Sequence, residues 1–435
     1  MNIAIDISVL RIAQAGVLVY TRSLIDALAE EIAGTGHTLT LLDVLPLNPG
    51  LPMRPLRAMD APGVRVVRCQ GIRRGYLSML PGMRRGPAHA LAERVDRALD
   101  VPWGLASTAA MGLALRSALA GVDVFHASDQ FLHAPPGAAI VVTIHDMTTR
   151  VHPEWHVHAN AAMHDAKDRF ALQRATRVIA DSRATREDIV RHLGVPAERI
   201  SVVYLGYDER FRPHTPDETR TALERHGLYH GGYILSLGTL EPRKNYERLI
   251  AAYARRSAAC QVLRAEAGAG SSALSTQHSA LPLVIAGGHG WHDEPILAAP
   301  ERYGVAGQVR FLGRVDDADL PALVAGARLF VYPSLYEGFG LPVLEALAAG
   351  VPVVAANATS LPEVLGDAGL LCDPRDPEDI ARRMAEVLAD PALAARLREA
   401  GPRRAAQFSW RRCARETLAA YEAALTTKTA GRSPP

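Results

Sequence analysis

The chain is poor in cysteine: four in 435 residues, at positions 69, 260, 372 and 413. They lie far apart and form no CxxC, so neither a zinc knuckle nor a disulfide framework is expected, and a reducing compartment fits. Long apolar runs are missing as well. No stretch of about 18 or more apolar residues occurs, which argues against a membrane-spanning helix. The opening "MNIAIDISVLRI" runs into a strand pattern in place of a basic head, apolar core and cleavage site. The expectation is a cytoplasmic protein, at most peripheral at the inner face of the cytoplasmic membrane. An excess of one charge is also lacking: the formal net charge is +2, too small to imply a nucleic-acid partner. No GxxxxGK[ST] stretch is present and no GxGxxG opens the first unit, so P-loop hydrolysis and dinucleotide binding lose their usual mechanical support.

What the chain has in quantity is alternation. Its length gives room for two domains of roughly 200 residues, and 48% hydrophobic with 22% charged residues is an ordinary globular balance. Apolar runs "NIAIDIS", "HTLTLLDVL", "VDVFHAS", "AAIVVTIHD", "ATRVIADS" and "ISVVYLG" alternate with helical segments such as 159–175 and 183–192. That grammar predicts a mostly parallel sheet covered on both faces. A polar, proline-containing seam at 208–220 then precedes a second cycle: "GGYILSLGTL", "LPLVIAGG", "QVRFLGRV", "ARLFVYPS", "VPVVAAN" and "AGLLCDP". The expected division is 1–212 and 213–407. An Ala/Gly/Ser-rich insertion at 265–280 reads as flexible, 408–425 as an amphipathic helix anchored by Trp410, and 426–435 as a frayed tail.

Arginine is concentrated at 54–85, with Arg54, Arg57, Arg65, Arg68, Arg73, Arg74, Arg84 and Arg85 against Asp60 alone. Mixed with Tyr76, Leu77, Met79, Leu80 and Met83, these suit either an anionic membrane surface or a solvated flap. The histidines at 152, 156 and 158 lack a tightly spaced acidic or cysteine partner, so no metal site is expected.

In open parallel sheets ligands bind beyond the carboxyl ends of the strands, and the residues just after each strand are the ones to weigh. "SLGTLEPRKNYERLI" puts Gly238, Thr239, Arg243 and Lys244 there, two cations near a helix N-terminus, suited to a diphosphate. "YEGFGLPVLE" places Gly338 and Gly340 either side of Phe339, so that backbone up to Leu341 can approach an anion. Glu337 stands at the strand tip and Glu345 inside the next helix. The two suit sugar or ribose hydroxyls, or Glu345 is paired with a buried arginine. "VVTIHD" puts His145 after a strand of the first unit, either toward a ligand or as a hydrogen-bonded structural residue.

Together these segments resemble the retaining, nucleotide-sugar-dependent glycosyltransferases of family 4. "EGFGLPVLE" is similar to that family's pair of glutamates, "GTLEPRKN" to its diphosphate segment and "TIHD" to the segment bearing its histidine; "ADSRATREDI", "GRVDDADLPALVAGARLFVYPSLYEGFG" and "SLPEVLGDAG" extend the likeness over most of 1–400. The resemblance implies an α/β GT-B fold, two Rossmann-like domains facing each other across a deep cleft, with the amino domain on the acceptor side and the C-terminal helix crossing back onto it. It implies that Lys244, helped by Arg243, contacts the donor diphosphate, that Glu345 holds the ribose, that Glu337 and the amides of Gly338–Leu341 lie near the sugar, and that His145 is near the reaction centre. No cofactor or metal is implied beyond the nucleotide sugar. GDP-mannose is the favoured donor, with UDP-, dTDP- or other GDP-hexoses as alternatives, and the acceptor a saccharide or lipid-linked oligosaccharide. A non-catalytic nucleotide-sugar-binding protein is the alternative of another class. Gly16 and Tyr20 of the family's glycine-rich "GIGRY"-like loop persist, but Leu18 and Val19 replace glycine and arginine, and Leu18 is expected to crowd that loop.

Overall fold

The computed structural model describes residues 1–11, 15–45, 56–70, 87–99, 119–127, 135, 137–156, 158–267 and 281–430. The chain divides into two compact units, Met1–Gly206 with Ser409–Pro435, and Tyr207–Phe408. The first boundary therefore falls before the expected 212/213. Asp208 and Arg210 go with the second unit, where Arg210 donates to the carbonyl of Asp317, and Phe211 is buried.

The first unit is built on a seven-stranded parallel sheet in the order β3-β2-β1-β4-β5-β6-β7. Its strands are β1 (Asn2–Asp6), β2 (Thr38–Leu45), β3 (Val64–Gln70), β4 (Val124–Ala127), β5 (Ala139–Ile144), β6 (Arg177–Ala180) and β7 (Ile200–Val202). Central β4 and β5 are buried along their whole length, as continuous apolar runs covered on both faces must be. Helix Ala15–Ile32 follows β1. The later helix Arg183–Leu193 is capped by Ser182, whose hydroxyl accepts from the amide of Thr185, and ends on left-handed Gly194.

Strand β3 is a departure from expectation, because it lies inside the arginine-rich stretch. Arg65 donates to Thr40 Oγ1 at 2.7 Å, Arg68 pairs with buried Asp43 at 3.5 Å and Arg57 with Asp26 at 3.5 Å. These three arginines serve an edge strand and its flank; the reading for 71–86 and for Arg54 lies outside the described residues.

The closing helix Trp410–Ala430 belongs to this first unit and packs on helix Ala15–Ile32 and on β5 and β6. It continues past 425, where fraying was expected, with Lys428 donating to the carbonyl of Gly137. Its entry explains Gly206: a Cβ there would lie 2.1 Å from the amide nitrogen of Trp410, so only glycine lets the two backbones meet.

The second unit has a six-stranded parallel sheet in the order β10-β9-β8-β11-β12-β13. The strands are β8 (Ile234–Leu237), β9 (Leu283–Ala286), β10 (Val309–Gly313), β11 (Leu329–Tyr332), β12 (Val353–Ala356) and β13 (Leu370–Cys372). Leu283, Ile285 and Val331 pack with Leu249 and Tyr253 of helix Tyr246–Ala267 and with Ile380 and Met384 of helix Pro377–Ala389 in one apolar core. The first of these helices runs to Ala267, so the expected insertion begins later than 265, and 268–280 lies outside the described residues. The order reverses between β8, which leads to β9, and its neighbour β11. At such a switch point the loops leaving adjacent strands diverge and open a crevice.

Among the described residues no helix is long and apolar enough to cross a membrane, and no group of three or more His, Cys, Asp or Glu is placed to hold a metal ion.

Candidate active site

In the second unit, the loops leaving β8 and β11 carry a cluster of four charges. After β8, Pro242–Lys244 makes a single 3-10 turn, and Asn245 turns into the left-handed region at φ 62°. The Asn245 amide donates to the carbonyls of Pro333 and Pro374 at 2.9 and 2.6 Å, tying this turn to the loops after β11 and β13. Lys244 is thereby driven inward and is 7% exposed. Its ammonium donates to Glu337 Oε1 at 2.5 Å and to the Tyr332 hydroxyl at 2.6 Å. Arg243 donates to Glu337 Oε2 at 2.8 Å, and its Nε pairs with Glu241 at 2.7 Å.

Glu337 also accepts from Ser334 Oγ at 2.6 Å and from Tyr332 OH at 2.9 Å. Burial pushes its carboxyl up, but Arg243, Lys244 and these donors outweigh burial and hold it at about 2. Burial and the neighbouring Arg243 guanidinium lower Lys244 from the ordinary lysine value, against the pull of Glu337 and Glu241. Glu337 is thus the counterion of both cations, with three donors on Oε1 and one, Arg243, on Oε2.

Gly238 leaves β8 at φ 142°, and a Cβ on it would come within 3.2 Å of Lys244 Cε. Thr239 is partly buried beside it. Gly338 and Gly340 flank Phe339 as expected, yet the Phe339 ring is buried and packs edge-on against Phe408, so this residue offers its backbone only. Gly340, at φ 105°, precedes helix Leu341–Ala348. The turn is held from behind by Ser360, whose hydroxyl reaches the carbonyls of Glu337 and Phe339, both at 2.9 Å.

Glu345 sits apart from this cluster. Its carboxylate makes no hydrogen bond or ion pair among the described residues, so the alternative of a paired arginine is not met. Burial, then the charge of Asp208, push it up to about 8, against Arg210. The two glutamates of the motif therefore answer to different neighbours, one closed on cations and one open.

In the first unit, His145 follows β5, and its Nδ1 is 2.7 Å from Asp181 Oδ2, just after the adjacent strand β6. Asp181 is 2% exposed. The Tyr20 ring packs edge-on to His145 at 4.6 Å between centroids. Tyr20 is fixed by a chain of hydroxyls: its OH lies 2.9 Å from Thr143 Oγ1, which lies 2.8 Å from His126 Nε2, whose Nδ1 lies 2.8 Å from Tyr421 OH. Helix Trp410–Ala430 thus reaches the neighbourhood of His145 through hydroxyls and one imidazole.

Gly16 lies exposed in the first turn of helix Ala15–Ile32, and a Cβ there would meet nothing within 4 Å. Leu18 is buried in the core of the unit, so the crowding expected of its side chain does not arise. Residues missed in the sequence are Asp181, Glu241, Tyr332, Ser334 and Ser360. Each lies at or just beyond a strand end, and Asp181 and Ser360 stand inside segments already singled out, "ADSRATREDI" and "SLPEVLGDAG".

Comparison with known proteins matches both units. Residues 16–211 match the model described as Glycosyltransferase Family 4, and 224–404 match that described as Glycosyl transferases group 1. The O-antigen chain mannosyltransferase B of Escherichia coli is 38% identical over 282 residues, 65% of this chain and 70% of that one. The serotype-specific mannosyltransferase WbdA of the same species is 32% identical over 247 residues, 55% of this chain but 28% of that longer protein. The sucrose-phosphate synthase of Thermosynechococcus elongatus superposes over 100% of both chains, with a TM-score of 0.66 and 20% identity, which shows the fold. Two parallel-sheet units, one family model matched by each, and a relative 38% identical that is matched over 70% of its length place the chain in glycosyltransferase family 4, with the GT-B fold.

Proposed function

We propose that the chain transfers mannose from GDP-mannose, with retention of anomeric configuration, to a saccharide or lipid-linked oligosaccharide in the synthesis of a cell-surface polysaccharide. The observation that carries this is the Arg243–Lys244 pair held by Glu337 at the switch point of the second sheet. The mannosyltransferase relatives support the choice of sugar.

The leaving group of such a reaction is a nucleoside diphosphate, and its breaking bond puts negative charge on a phosphoryl oxygen. Two cations already fixed in place stabilise that charge without reorganising during the step, which is electrostatic catalysis. Glu337 keeps both side chains oriented, and the amides of Gly338–Leu341 add donors. Glu345 meets the ribose hydroxyls. With its carboxyl pushed up to about 8 it is protonated at neutral pH in the free protein, able both to donate and to accept. His145 receives a hydroxyl of the transferred sugar on Nε2 while Asp181 holds Nδ1. On the sugar, the acceptor oxygen bonds to the anomeric carbon on the face from which the phosphate departs, and the acceptor proton passes to the departing phosphoryl oxygen. No metal is required by this scheme. A peripheral membrane position rests on Arg54, Arg73, Arg74, Arg84 and Arg85; their replacement by serine should abolish binding to anionic liposomes, and unchanged binding would remove it.

The test is nucleotide release from GDP-mannose, UDP-glucose, dTDP-glucose and ADP-glucose in the presence of oligosaccharide acceptors, beside a thermal shift with each donor. Turnover and a raised melting temperature with GDP-mannose alone support the reading. Turnover with another donor replaces mannose or guanine in it, and binding without turnover favours the non-catalytic alternative. That alternative drew on the crowding attributed to Leu18, whose place in the core removes the support.

A further inference from the structure

We propose that His289 is a phosphate-binding residue of the donor site, donating from Nε2 to a phosphoryl oxygen of the nucleoside diphosphate; this rests on the assignment of the second unit to the donor. The segment "GGHGW" leaves β9, the strand beside β8. Its path is locked to the Gly238–Lys244 loop. Residues 240 and 289 form a parallel bridge, in which Leu240 N donates to the Gly288 carbonyl at 2.9 Å and Gly290 N to the Leu240 carbonyl at 3.1 Å. A Cβ on Gly287 would lie 1.9 Å from the Gly238 carbonyl oxygen, and one on Gly290 would lie 2.5 Å from that of Leu240. The glycines let the two loops touch backbone to backbone. His289 is thereby set in register with a residue four positions before Lys244.

The side chain is as deliberately held as the backbone. His292, in the left-handed region at φ 57°, turns the chain so that Asp293 comes back beneath His289. His289 Nδ1 lies 2.6 Å from Asp293 Oδ2. The carboxylate is 1% exposed, whereas the histidine side chain is 59% exposed, and its Nε2 has no hydrogen-bond partner among the described residues. The buried carboxylate accepts from Nδ1–H and fixes the plane of the ring, and a ring carrying a proton on each nitrogen donates from both. The other nitrogen is then an oriented, solvent-facing donor beside a loop that already carries two cations. Arg243 and Lys244 already donate to Glu337 and Glu241, so an exposed ring whose second nitrogen is open adds a contact that the closed cluster does not.

The experiment is calorimetric titration of the full chain with GDP, UDP, dTDP and ADP, followed by repetition with the best binder on His289→Ala, His289→Gln and Asp293→Asn. The expected result is an about tenfold weaker Kd for His289→Ala, equivalent to about 1.4 kcal/mol. Partial recovery is expected in His289→Gln, which retains a donor, and a smaller loss in Asp293→Asn. The exposed ring should leave the ligand-free melting temperature of the His289 variants unchanged, and His289→Gln carries the test if the alanine variant melts lower. A Kd for both His289 variants within threefold of wild type overturns the proposal while leaving the donor site standing. If the wild type binds none of the four nucleotides, the donor-site reading fails and the role of His289 with it.

Discussion

The two sheets arm their strand tips differently. In the second unit the loops after β8 and β11 bring Arg243 and Lys244 against Glu241 and Glu337, a cluster whose glutamates and lysine are all less than a tenth exposed. In the first unit the loops after β5 and β6 bring together one imidazole and one carboxylate, and everything behind them is hydroxyl and ring. The first arrangement holds two cations rigid, ready for an anion. The second fixes the direction of a single ring. Removing one partner should therefore be costly in stability where charges are massed, and costly mainly in rate where a ring is aimed.

Glu337→Gln should break the comparison most visibly. It leaves two cations short of their buried counterion, and breaking such a pair costs about 3–5 kcal/mol, to be read as a lowered melting temperature at neutral pH. The pH dependence carries a second signature. The carboxyl is held at about 2 when folded against 4.5 unperturbed, so its stabilisation is present above about pH 4.5 and is lost as pH falls through about 2. Wild type should show that acid limb and Glu337→Gln should lack it; equal limbs would show that Glu337 is not the counterion.

Lys244→Ala comes next and tests rate. Losing a preorganised charge at the leaving group typically costs a factor of about 10²–10³ in kcat, or about 3–4 kcal/mol. A variant with kcat within a factor of about ten of wild type would place the diphosphate elsewhere.

Much of this was legible in the sequence, for reasons that also mark the limit. Apolar runs between helical stretches mark twelve of the thirteen strands among the described residues, because central parallel strands are buried on both faces and read as unbroken. Strand β3 is not legible in this way: as an edge strand it mixes Val64, Val66 and Val67 with Arg65 and Arg68, and its arginine density matches that of a membrane-facing segment. At the site, Lys244, Arg243 and Glu337 were each legible as residues beyond strand ends. That Glu337 would close on the cations was not, since 93 residues separate it from Lys244. Only the placing of β11 beside β8 joins them, and strand order is not written in local pattern. Leu18 shows the converse error, a loop carried over where this chain continues a helix and buries the side chain.

Glu345→Gln sharpens the contrast between the paired and the open glutamate. Its carboxyl rises from 4.5 unperturbed to about 8 in the folded chain, so wild type loses stability as pH climbs from about 4.5 and levels off above about 8. Glutamine carries no such charge. The variant should match wild type near pH 4 and exceed it by about 1–3 kcal/mol at pH 8.5, a discounted figure for a side chain that keeps some exposure. The measurement is denaturant unfolding at the two pH values, and a constant difference between them would refute the open carboxyl.

Asp181→Asn should have the smallest effect on stability and falls on the other side of the comparison. The amide fills the same volume, and the carboxylate it replaces balances no massed positive charge. A neutral hydrogen bond for a charge-assisted one costs about 1 kcal/mol, so the melting temperature should fall by only a few degrees. Turnover should respond more strongly. Without a full carboxylate, His145 is held less firmly in the tautomer that presents Nε2, and misorientation of a catalytic ring lowers kcat by about 10–100-fold. The donor KM should hardly move, because Arg243, Lys244 and Glu345 lie in the other unit and are untouched. That split separates positioning from a structural role, which would lower the melting temperature and leave kcat per folded molecule unchanged. A rise in donor KM with unchanged kcat would instead limit the His145–Asp181 pair to ground-state binding of the donor sugar, and the two units would no longer divide placing of cations from orientation of the reacting sugar.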